Sequence, residues 1–187
     1  MRRGFKIEAE RIAQEIRGEL GLRPSDRLNP YLLAEHLGIP IYAMKDLCAG
    51  VGNSSFTFYF SVVDPETFSA ITVFIGLRRM IVHNESHHPN RQSSDIAHEI
   101  AHALLEHQPA QLLDGVGQRF WNAEMEDEAG WLGAALLVPR AGALGMARSG
   151  KPSEEIAEHY GVSGSLCQWR VRQTGVLKQV ERSRSSW

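Results

Sequence analysis

Apolar residues recur along this chain at two different periods, and the alternation between them lays out its elements. Ile7, Ala9, Ile12, Ala13, Ile16 and Leu20 fall at helical spacing and predict a helix over Ile7 to Leu20. Asn29-Pro30 reads as a cap followed by a first-turn proline, opening a second helix that ends at Gly38. Ile39 to Met44 is a short apolar strand. Phe56 to Val63 and Ala70 to Ile75 are rich in Phe, Val, Ile, Thr and Tyr, and Gly76 punctuates a hairpin into Arg79 to His83. Helical spacing returns from about Ser93, and again from about Asn122 to a stop at Pro139. Further helical pieces fill the C-terminal quarter. This order predicts an α+β fold, a small antiparallel sheet packed against helices.

The helix from Ser93 carries His98-Glu99-Ile100-Ala101-His102. At about 100° per residue, positions i and i+4 share a helix face, so His98 and His102 can converge on one metal ion. Glu99 lies to the side, near enough to take a proton from a water molecule that the metal polarises. That is the pattern of a zinc peptidase: two His ligands and one Glu general base. On a helical wheel Ile96, Ile100, Ala103 and Leu104 form one apolar stripe, and the two histidines lie opposite it beside Ala101 and Leu105. Such a helix has no wholly solvated face.

A catalytic zinc site needs a third protein ligand. The extended HExxHxxGxxH pattern is not met, because Leu105 stands at its Gly and Gln108 at its third His. The next helix opens with acids, and the stretch Gln108 to Trp121, with Pro109, Gly115 and Gly117, is long enough to fold it back against the first. Glu126 and Glu128 are about 200° apart on that helix and cannot both face the metal. Both flank its apolar stripe of Met125, Ala129, Leu132 and Leu136, so periodicity leaves the choice open.

Taken together, Arg91, Ile96-Ala97-His98-Glu99-Ile100-Ala101-His102 and the helix from Glu126 through Ala129 to Leu136-Leu137-Val138-Pro139 resemble the ImmA/IrrE family of zinc metallopeptidases. Tyr31 to Ile39, with its Leu37-Gly38-Ile39 step, and the strand Arg79 to Asn84 are similar to the family's elements upstream, so the resemblance covers roughly residues 25 to 175. It implies His98, His102 and Glu126 as ligands of one zinc or similar divalent ion per chain, with Glu99 catalytic. It also implies an endopeptidase whose substrate is a helix-turn-helix repressor or antitoxin-like protein. Gly130 departs from the Asn or Asp usual at its place, and Leu132-Gly133 from Phe-Ala. The first departure removes a side chain that could hold a ligand histidine. The expected organisation is a peptidase domain over 1–145, N-terminal helices included, and a helical, helix-turn-helix-like extension over 146–187 packed on it.

Other histidines and cations bear on the chemistry less directly. His83, Arg91, His159 and Tyr160 are candidate donors to the oxyanion, and His83, His87, His88 and His107 lie near enough in sequence to suggest a second metal site. If the strand over 79–83 or its neighbour is an open edge beside the metal, an extended substrate can add to it as a further strand.

Within 187 residues, 43% of them hydrophobic, the chain can bury a core as one domain. A net charge of −2 predicts no strong attraction to nucleic acid or to a membrane surface. The opening residues lack an apolar signal core and no long apolar run occurs, so a soluble cytoplasmic protein is expected. Cys48 and Cys167 are too few for a disulfide framework. Pro152 to Ser163 followed by Ser165 to Thr174 has the look of a helix-turn-helix, in which Arg170 and Arg172 could meet phosphates. The competing reading is therefore a metal-binding, DNA-associated regulator or sensor without peptidase activity. Direct nucleic-acid binding is the lesser expectation.

Overall fold

The computed structural model describes residues 1–48, 68–76, 78–107 and 122–184. The strand expected over Phe56 to Val63 and the connection from Gln108 to Trp121 lie outside these residues. In chain order the elements are α1 (Phe5–Glu19), α2 (Pro30–His36), β1 (Ile41–Ala43), α3 (Met44–Cys48), β2 (Ala70–Ile75) and β3 (Arg78–His83). They continue with α4 (Pro89–Leu104), α5 (Ala123–Leu137), α6 (Arg140–Arg148), α7 (Ser153–Tyr160), α8 (Gly164–Gln173) and α9 (Val176–Arg184). The architecture is mixed α and β, as the apolar periods predict.

The sheet has the order β1-β3-β2. β2 and β3 form the antiparallel hairpin expected about Gly76, pairing Ala70 with His83 and Thr72 with Ile81. β1 pairs with β3 in parallel, Ile41 opposite Ile81 and Ala43 opposite His83. The sheet is therefore mixed rather than wholly antiparallel. β1 and β3 are far apart in the chain, so no turn chemistry constrains their relative direction.

α5 is the centre of the molecule. From Glu128 to Val138 every residue except the half-buried Gly130 is buried, because α1 and α8 as well as α4 pack around it. The narrow stripe read from its sequence underestimates this, and Met125 is only half-buried. Gly133 explains the closeness of α4: a Cβ there would stand 3.0 Å from the Ala97 carbonyl oxygen. Residues of α6 to α9, among them Ile156, Tyr160, Cys167, Val171 and Val176, join the same buried cluster as Phe5, Ile96, Ile100 and Leu132. Among the described residues no single helix is long and apolar enough to cross a membrane.

Two arginines close the end of α5, where the last carbonyls of a helix lack partners. Arg17 Nη1 donates to the Leu136 carbonyl at 2.8 Å, and Arg170 Nε to the Val138 carbonyl at 3.0 Å. Arg170 is fully buried, and its Nη2 also donates to Glu10 Oε1 at 2.5 Å. The helix-turn-helix reading placed Arg170 toward phosphate; it is a core residue instead, and only Arg172 of the pair is exposed. Burial depresses the Arg170 pKa, although Glu10 opposes this. Arg170→Ala is expected to lower folding stability by about 3 kcal/mol, since a buried carbonyl and Glu10 both lose their partner. The measurement is the urea midpoint at unchanged slope, and an unmoved midpoint would mean that the contact stabilises nothing.

Candidate metal centre

α4 begins at Pro89, four residues ahead of the start expected at Ser93. Pro89 occupies the first helical position and His88 Nδ1 accepts from the Asn90 amide at 3.2 Å, which together nucleate the turn. Ser93 and Ser94 lie inside the helix rather than capping it, their hydroxyls donating back to the carbonyls of Pro89 and Asn90 at 3.0 Å each. α5 starts as expected: Asn122 Oδ1 accepts from the amides of Glu124 and Met125 at 3.1 and 3.3 Å.

The close packing of these two helices brings three side chains to one point. His98 Nε2 lies 3.0 Å from Glu126 Oε2, His102 Nε2 lies 3.1 Å from His98 Nε2, and His102 Nε2 lies 3.5 Å from Glu126 Oε2. Ligands about 2.0–2.1 Å from a tetrahedral zinc ion are about 3.3–3.4 Å from one another. The triangle of these three atoms departs from that by only a few tenths of an ångström, so the donor set fits such an ion. Among the described residues this is the one group of three metal-ligating side chains. Glu128, left open beside Glu126 by periodicity, points elsewhere: its Oε1 accepts from the Arg2 amide at 3.0 Å.

Electrostatics in the cluster are strongly coupled. Burial disfavours protonated His98, but the hydrogen bond with Glu126 and the surrounding carboxylates outweigh it and raise its pKa. Burial, followed by repulsion from His98, pushes His102 down to about 4. The hydrogen bond from His98 holds the Glu126 carboxyl below its ordinary range, more than offsetting burial. Glu99 stays outside the triangle. Its Oε2 accepts from Thr72 Oγ1 on β2 at 2.6 Å, and burial raises its pKa despite that bond. Sequence reasoning had no signal for Thr72, which reaches Glu99 only because β2 packs against α4.

The candidate oxyanion donors are distributed differently. His159 Nε2 meets the Ser25 carbonyl at 2.7 Å and the Tyr160 hydroxyl donates to the Pro24 carbonyl at 2.8 Å, so both hold the loop after α1. His83 Nε2 lies 3.4 Å from the Tyr31 hydroxyl. Arg91 is on α4 ahead of the motif, where Nη2 donates to Ser69 Oγ at 3.1 Å and Nε lies 3.8 Å from Asp95 Oδ2. Among the described residues the remaining histidines do not gather into a second site: His87 Nδ1 faces Asp95 Oδ2 at 3.5 Å, and His88 caps α4.

Beside the triangle lies a cavity of about 460 Å³, lined by His98 and Glu126 together with Asp95, Asp127, Gly130 and Trp169 among others. Gly130 helps to open it. A Cβ at that position would meet only His98 Nδ1, at 4.0 Å, so packing does not demand glycine there.

Residues 34–171 match the family model of the IrrE N-terminal-like domain, peptidase family M78. No curated protein and no solved structure matches the chain. The matched span takes in both helices of the cluster and nearly the whole stretch over which the motifs resemble ImmA/IrrE sequences, and the chain accordingly belongs to this family of peptidases.

Proposed function

We propose that the protein is a zinc-dependent endopeptidase whose metal is held by His98, His102 and Glu126. The observation that carries this reading is the convergence of two Nε2 atoms and one carboxylate oxygen within 3.5 Å of one another. Zinc bound there would supply Lewis-acid activation of a water molecule and of the scissile carbonyl. The other steps fall to the chain itself. Glu99, anchored by Thr72 and with its pKa raised by burial, accepts the proton of the attacking water and delivers it to the leaving amine. Thr72 holds that carboxylate in one orientation, which would keep the base from turning toward the three ligand atoms.

Among the described residues β2 is an edge strand, and it carries Thr72. An extended peptide paired along β2 would run beside Glu99, and the cavity next to His98 would receive one of its side chains. The substrate we propose is a helix-turn-helix repressor or antitoxin-like protein, on the strength of the family resemblance. The test is cleavage of such proteins encoded beside this gene, with and without a chelator. Chelator-sensitive cleavage at one site supports the reading, whereas cleavage that persists after complete metal removal overturns it.

A further inference from the structure

The last turn of α4 ends in a strained loop. The Glu106 amide donates to the Ala103 carbonyl at 3.1 Å and the His107 amide to the His102 carbonyl at 3.0 Å, the two bonds of a Schellman turn. Glycine normally occupies the left-handed position of that turn, but here it is Glu106, at φ 53°. The left-handed backbone is unfavourable for a residue that carries a Cβ. What the turn accomplishes is to fold His107 back over the helix end. Its ring centroid then lies 5.0 Å from that of His102, with Nδ1 2.9 Å from His102 Nδ1. On its far side His107 Nε2 faces Glu128 Oε2 at 3.8 Å, and both side chains are at most 10% exposed. Glu128 is in turn held by the Arg2 amide at 3.0 Å and by Arg2 Nε at 3.4 Å.

We propose that His107 and Glu128 are positioning residues that set the tautomer and orientation of His102. This rests on the zinc reading above. Two Nδ1 atoms 2.9 Å apart share one proton, and the carboxylate decides which ring holds it. If His107 carried it, its Nε2 would present a lone pair to the Glu128 carboxylate, which is repulsive. With the proton on His102 Nδ1, His107 accepts it and directs its own Nε2–H at Glu128. His102 Nε2 is then left unprotonated in the triangle with His98 and Glu126, which is the form a metal ligand requires.

The test measures zinc affinity of the whole chain by competition with a chromogenic chelator, with the visible spectrum of the cobalt-substituted protein as a ligand-field readout. His107→Ala is expected to weaken zinc binding about 10–100-fold and to alter the cobalt spectrum. His107→Asn, whose amide oxygen can stand near the Nδ1 position, should restore most of the loss, and Glu128→Gln should fall between wild type and His107→Ala. Wild-type affinity in His107→Ala overturns the proposal. So does an equal loss in His107→Ala and His107→Asn when both metal-free proteins melt like the wild type, since the acceptor would then be irrelevant. Should His107→Ala fail to fold, Glu128→Ala decides, since it leaves His107 Nε2 no acceptor to face, and wild-type affinity there is the overturning result. A wild-type protein with no zinc affinity removes the zinc reading itself, which separates that failure from this one.

Discussion

Glu99→Gln is expected to keep its metal and lose about 10²–10⁴-fold in peptide cleavage, the range that a positioned general base contributes. The amide is nearly the shape of the carboxylate and its oxygen can still accept from Thr72 Oγ1, so the surroundings of α4 need not rearrange. What the amide cannot do is take a proton from water. Burial raises the Glu99 pKa, which brings the carboxylate closer to the basicity useful near neutral pH than an exposed glutamate would be. Cleavage rate and metal content are measured on the same preparation. A variant that cleaves at the wild-type rate removes Glu99 from the chemistry, and one that loses its metal would make it a ligand.

Alanine at Glu126 or His98 is expected to abolish stoichiometric metal binding, a larger loss than the roughly 100-fold that an outer contact controls. Each removes one corner of a triangle whose sides are 3.0, 3.1 and 3.5 Å, and two ligands do not hold a tetrahedral ion as three do. Glu128→Ala should weaken binding less than Glu126→Ala, because the Glu128 carboxylate faces His107 and Arg2. The check is metal content together with chelator competition, and a greater loss in Glu128→Ala would exchange the two roles. Affinity should also fall with pH, since protons compete for the same nitrogens. His98 binds its proton more tightly than an ordinary imidazole in the metal-free protein. Protonation therefore begins to oppose the metal above the usual value of 6.5, and acidification deepens the loss.

Where an interaction is local, it was legible in the residues. The i and i+4 spacing of His98 and His102, the start of α5 at Asn122 and the hairpin about Gly76 each follow from residues a few positions apart. α4 starts ahead of the helical spacing that marks it from about Ser93, because its first turn is set by Pro89 and the His88 cap rather than by apolar periodicity. His107 gave a weaker signal: it stood near the motif, yet nothing in the spacing told an outer partner from a second metal ligand. A non-glycine residue at the left-handed position of the α4 terminus is visible only once the backbone is known.

The sequence by itself determined which residues could do the chemistry, because helical periodicity puts two imidazoles on one face whatever surrounds the helix. It also determined that a carboxylate-bearing helix follows. Helical periodicity left Glu126 and Glu128 undecided and only the family resemblance pointed to Glu126; what turns Glu126 to that face is the rotation of α5, set by its packing against α1, α4 and α8. Tertiary structure alone decided that Arg17 and Arg170, polar by every local measure, are buried: the open carbonyls at the end of α5 offer acceptors that no pattern along the chain reveals. The parallel pairing of β1 with β3 and the grip of Thr72 on Glu99 belong to the same class. They join residues 40 and 27 positions apart through the packing of whole elements, and the energy that selects such contacts is that of the folded core rather than of any segment in it.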